Sequence, residues 1–71
     1  MTIKLTDNEL QVLNLVKIGD SNQEIASKLS ISLGGVKSYI RSIMLKLNAK
    51  NRIQMILEAV RLKIINLSLE Q

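Results

Sequence analysis

Lys37, Ser38 and Arg41 are the residues whose types and spacing could do chemistry. At 100° per residue they cluster on one side of a helix, with Gly34 between them. The opposite side carries Val36, Ile40, Ile43 and Leu47 in one narrow apolar stripe. Arg and Lys side chains suit the O6 and N7 acceptors of guanine, and a serine hydroxyl can donate or accept at a base edge. A helix packed along one stripe and carrying donors on the other is suited to lie in a DNA major groove. An ordinary amphipathic surface helix would show the same separation, so the elements around it must decide.

Four polar start signals divide the chain into four predicted helices. Thr6-Asp7-Asn8-Glu9 reads as a capping box, with Thr as N-cap and Glu at the third helical position. The helix it opens runs to about Ile18, with Leu10, Leu13 and either Val16 or Ile18 inward, and Gly19 stops it. Ser21-Asn22-Gln23-Glu24 is a second capping box, opening a short helix to about Leu29 with Ile25, Ala26 and Leu29 inward. Ser32 caps a third helix, 33–47, and Asn51 a fourth, about 51–64, after which the tail from Asn66 is expected to fray. No strand alternation, repeat or linker interrupts this pattern. The expected fold is all-α, a four-helix bundle spanning 1–71 as one domain, with a central helix-turn-helix at about 21–47.

Composition narrows the function classes. The chain has 71 residues, is 46% hydrophobic, and contains a single aromatic residue, Tyr39, with no proline. The core must therefore be aliphatic. Cysteine and histidine are both absent, which removes the disulfide, the thiolate nucleophile and the usual general base. The six acids are scattered, and Glu9 and Glu24 are accounted for as capping residues. Catalysis is disfavoured, and neither a cofactor nor a metal is expected. No segment approaches a membrane-spanning apolar run and the first residues lack a leader pattern, so a cytoplasmic bacterial protein, nucleoid-associated when bound, is expected.

The net charge of +4 is uneven. Residues 1–33 carry three Lys against four acids, whereas residues 34–63 carry Lys37, Arg41, Lys46, Lys50, Arg52, Arg61 and Lys63 against Glu58 alone. A charge run can be a solvated face; this asymmetry favours a polyanion. Ser21, Asn22, Gln23 and Ser32 stand at helix N-termini, where free N–H groups and the dipole favour phosphate. Capping is their first role and phosphate contact a second. Lys46, Lys50 and Arg52 gather in sequence before the fourth helix and are candidates to grip the DNA backbone.

The fourth helix is apolar on two sides. Ile53, Ile56, Leu57, Val60 and Ile64 form one stripe, read as the core face. Met55, Ala59 and Leu62 form another and are the candidate dimer interface, supplemented by Ile65, Leu67 and Leu69.

These residues resemble the LuxR/GerE-type helix-turn-helix family, the DNA-binding module of NarL/FixJ-class regulators. The resemblance runs from Leu5 to about Ile65. It rests on Leu5-Thr6, Glu9 and Val12-Leu13; on Gly19, Ser21 through Ala26, Leu29 and Ile31-Ser32; and on Val36-Lys37, Ile43, Lys46-Leu47 and Arg52. It implies a four-helix bundle that binds double-stranded DNA as a homodimer through its last helix, with Lys37, Ser38 and Arg41 facing the major groove. The family often has Thr where this chain has Gly35 and His where it has Tyr39, so the phosphate contact that Thr implies is missing. Gly34 and Gly35 also loosen the first turn, each by up to ~1 kcal/mol relative to Ala. Two readings of the pair compete: close approach of the backbone to DNA, or weakened, partner-assisted binding.

The expected function is a sequence-specific transcriptional regulator that binds an inverted repeat. The short lead-in favours a self-sufficient GerE-like regulator over an isolated effector module. The alternative is a small interaction protein that dimerises with or titrates a larger family member, or engages RNA polymerase, and binds DNA weakly alone. A sigma-factor region-four-like domain is a nearer variant, but its fourth helix would not need a second apolar stripe.

Overall fold

A computed structural model describes residues 3–66 and places four helices in the order expected: α1 (Asp7–Lys17), α2 (Asn22–Leu29), α3 (Leu33–Lys46) and α4 (Arg52–Arg61). Among the described residues there is no strand. Each helix begins where a side chain satisfies backbone N–H groups that the helix leaves open. Glu9 N–H donates to Thr6 Oγ1 at 3.1 Å while Glu9 Oε1 accepts from Thr6 N–H at 2.8 Å. Ser21 and Glu24 repeat this reciprocal pair. Ser32 and Asn51 cap α3 and α4 by accepting from Gly35 N–H and Gln54 N–H, at 2.9 and 2.8 Å.

The four C-termini share a device that the sequence disclosed only once. Gly19, Ser30, Asn48 and Lys63 all take positive φ just past a helix. The next residue's N–H then turns back to a carbonyl five positions earlier, as in Asp20 to Leu15, Ile31 to Ala26, Ala49 to Met44 and Ile64 to Ala59. Gly19, at φ 96°, carries the residue type that makes this conformation cheapest, and Asn48 the next most tolerant one. At Lys63 the reversal ends α4 at Arg61, three residues before the expected end.

α3 packs against the other three helices, and α1 also touches α2 and α4. The core is aliphatic throughout: Val12, Leu13, Ile25, Val36, Ile43 and Met55 are its largest fully enclosed side chains. The α3 stripe of Val36, Ile40, Ile43 and Leu47 is buried as its spacing predicted. Of the two alternatives for the last inward position of α1, Val16 is buried, whereas the turn at Gly19 leaves Ile18 exposed; Val12 also fills the inner face.

The fourth helix is the larger correction. Met55 and Ala59, expected at a dimer interface, are fully enclosed in the core, and Leu62 is half-buried. Ile53 and Leu57, expected inside, are 74% and 59% exposed, while Ile56, Val60 and Ile64 lie at the margin. The stripes were identified correctly but their directions were inverted. A helix wheel carries no sign, and the narrower stripe fits the space left between α1 and α3: Ala59 permits close approach and unbranched Met55 fills irregular gaps. Ile65 also belongs to the core, and Leu67 and Leu69 lie outside the described residues.

Candidate nucleic-acid interface

α3 presents the site. Lys37, Ser38 and Arg41 are exposed along its outer side, opposite the buried stripe, with Gly34 exposed among them. The Ser32 cap fixes where the helix starts, and Val36 and Ile40 hold its first turns against the core. The three side chains are thus brought together on one rigid face. Leu45 extends that face, three turns beyond Gly34, and is 74% exposed. The wheel contained this signal, but attention to polar residues passed over it.

Two of the expected backbone-gripping cations have internal partners. Lys46 Nζ lies 2.7 Å from Glu9 Oε1, and Ser42 Oγ donates to Glu9 Oε2 at 2.6 Å. Glu9 therefore does more than cap α1: it ties α1 to the last turns of α3 from a position only 3% exposed. Burial alone would push its carboxyl upward. The hydrogen bonds from Lys46, Ser42 and Thr6 N–H, with the Lys46 charge, outweigh that and lower it to about 2. Sequence reasoning found the cap and missed the tie, because nothing in spacing alone brings residues 9, 42 and 46 together.

Arg52 turns the other way. Its guanidinium donates to Asn22 Oδ1 at 2.7 Å and to the Asp20 carbonyl at 2.9 Å. Lys46, Lys50 and Arg52 therefore do not form one cation cluster, although they are close in sequence. Lys50 has an exposed side chain, and its backbone N–H is bound by the Gln54 side chain. Lys28 pairs with Asp20 and Arg61 with Glu58. Ser21 and Gln23 are exposed at the start of α2, Asn22 is half-buried there, and Ser32 is exposed before α3. Tyr39 is half-buried, and its hydroxyl accepts from Asn8 Nδ2 at 3.1 Å, joining α3 to the start of α1.

Away from this face, an open groove is lined by Val16, Arg52, Ile53, Ile56 and Leu57. Its apolar lining is what the inverted orientation of α4 leaves outside. Among the described residues, no group of three His, Cys, Asp or Glu could hold a metal ion. No described helix is long and apolar enough to cross a membrane.

Comparison with known proteins agrees with this geometry. Residues 4–59 match the family described as bacterial regulatory proteins, luxR family. The transcriptional regulatory protein DesR of Bacillus subtilis is 52% identical over 52 residues, which cover 73% of this chain and 26% of that protein. The HTH-type transcriptional activator RamA of Corynebacterium glutamicum is 43% identical over 61 residues, 86% of this chain and 22% of RamA. The response regulator protein VraR of Staphylococcus aureus is 40% identical over 55 residues, 78% of this chain and 26% of VraR. The chain thus spans about a quarter of the length of these relatives. With the match covering most of its residues and its four capped helices in place, the chain belongs to the luxR family of bacterial regulatory proteins.

Proposed function

We propose that this chain binds double-stranded DNA as a transcriptional regulator, with α3 as the helix that enters the major groove. The observation that carries the reading is the division of α3 into a buried aliphatic stripe and an exposed side bearing Lys37, Ser38 and Arg41. Lys37 and Arg41 supply long donors for guanine edges, and Ser38 a short one. Ser21, Asn22, Gln23 and Ser32, at two helix starts, act on phosphates together with Lys50. Lys46 joins them only by sharing its ammonium with Glu9. Arg52 acts on the fold rather than on DNA.

The protein binds as a homodimer on an inverted repeat, which would place two α3 helices in successive major grooves. The self-association surface in this reading is the exposed face of α4 around Ile53 and Leu57, in place of Met55 and Ala59. The same exposed face supports a second reading, association with a larger family member.

Selection of bound duplexes from a random pool, followed by titration at two salt concentrations, tests both. Enrichment of an inverted repeat with a steep salt slope supports the dimeric regulator. Retention without enrichment reduces the function to backbone binding. Absence of retention, with capture of a larger luxR-family protein, favours the second reading.

A further inference from the structure

The two adjacent glycines of α3 differ in what surrounds them. A Cβ built on Gly35 would stand 3.2 Å from Ser32 Oγ, the atom that caps α3 by accepting Gly35 N–H at 2.9 Å. That contact is tight, but Glu9 and Glu24 carry side chains at the same position behind the Thr6 and Ser21 caps, so the Ser32 hydroxyl can give by a few tenths of an ångström. Gly34 has not even that contact. A Cβ on it would meet only Ser32 Oγ, at an ordinary 3.9 Å. Its backbone is helical, and Gly19 is the only described glycine with positive φ. A glycine in such a place lowers helix stability relative to alanine, and no contact among the described residues compensates.

Its direction suggests what does. Gly34 is exposed on the outer side of α3, flanked by Lys37 and Ser38 one turn on and Arg41 two turns on. Lys37 and Arg41 are long and can reach a base edge from a helix held at some distance. Ser38 has the shortest polar side chain and reaches only if the helix backbone itself comes close.

We propose that Gly34 is the point at which the α3 backbone lies against the base-pair edges, its bare Cα setting a depth at which Ser38 reads a base. This rests on the DNA-binding reading above. It assigns the role to Gly34 alone of the two glycines.

The test uses the full chain with Gly34→Ala, Ser38→Ala and the double variant. Thermal unfolding is measured beside fluorescence-anisotropy titration of a selected duplex and a scrambled one. Gly34→Ala is expected to melt higher than wild type yet bind the selected duplex about tenfold more weakly, with less than about a twofold change on the scrambled duplex. Adding Ser38→Ala to Gly34→Ala should cost little more, since the serine has already been lifted from its base. Equal or tighter binding by Gly34→Ala overturns the proposal, because the glycine then merely loosens the helix. Equal loss on both duplexes overturns it as well, because the contact is then to the backbone. If wild-type protein binds neither duplex, the DNA-binding reading fails and this inference falls with it.

Discussion

Arg52 and Asn22 are joined by a 2.7 Å hydrogen bond between two helices that do not otherwise pack on each other. With the second bond to the Asp20 carbonyl, one guanidinium at the start of α4 fixes the turn that leads into α2. The bond also orients the Asn22 amide. Its oxygen is turned toward Arg52, so its NH₂ group is the end left for an anion.

Arg52→Met should therefore destabilise the fold by about 2 kcal/mol, the range for losing hydrogen bonds from a charged donor. Arg52→Lys should recover little of it, since a single ammonium cannot match the forked pair of contacts. Urea denaturation monitored by helical circular dichroism measures both. Lysine restoring wild-type stability would show that charge alone, not geometry, is what the site requires.

Glu9 makes stability depend on pH in a stated direction. Its carboxyl is lowered from the usual 4.5 to about 2 in the folded protein. A lowered carboxylate contributes stability that is complete above about 4.5 and is lost as pH falls toward 2, because protonation removes the acceptor for Lys46 and Ser42. The contribution is on the order of 3 kcal/mol. Glu58, held by Arg61, is lowered too and acts in the same direction from a half-buried position. Glu9→Gln should melt below wild type at neutral pH, and the two melting curves should converge between pH 4.5 and 2. Curves that stay parallel across that window would assign the acid sensitivity elsewhere.

The contrast between α3 and α4 shows where the sequence was legible. Caps are local, so Thr6, Ser21, Ser32 and Asn51 announced four helix starts from residue types within one turn of each. The single apolar stripe of α3 left one way to pack it, and the exposed donors followed by exclusion. α4 offered two stripes, and choosing between them needed the shape of the cavity that α1 and α3 leave. The internal ties of Lys46 and Arg52 were hidden for a related reason. Each joins residues about thirty or more positions apart, and a cation's partner at that range is set by the tertiary path rather than by its neighbours in sequence.

That inversion of α4 separates two substitutions. Leu57→Lys replaces a side chain that is 59% exposed and should change monomer stability by no more than about 0.5 kcal/mol. It should nevertheless abolish self-association, if the α4 face is the dimer surface, and reduce affinity for an inverted repeat. Met55→Ala opens a cavity in the core and should cost about 2–5 kcal/mol. Sedimentation and thermal unfolding on the same samples distinguish these effects. A Leu57→Lys protein that dimerises like wild type would move the interface off this face.

Arg41 and Lys50 should divide specificity from affinity. Arg41 is held on α3 beside Lys37 and Ser38, where a forked donor can meet the two acceptors of guanine. Lys50 is an exposed point charge in the segment before α4, suited to a phosphate and indifferent to sequence. Arg41→Ala should cost about 1–3 kcal/mol on the selected duplex and relax preference at one position of each half-site. Lys50→Ala should weaken selected and random duplexes alike and flatten the salt dependence by roughly 0.9 for each phosphate released. The two variants must be compared at the same ionic strength, because the phosphate contribution dominates at low salt and would mask a lost base contact. If Arg41→Ala weakens both duplexes equally and flattens the slope as Lys50→Ala does, Arg41 is another backbone contact. Base reading would then rest on Lys37 and Ser38 alone.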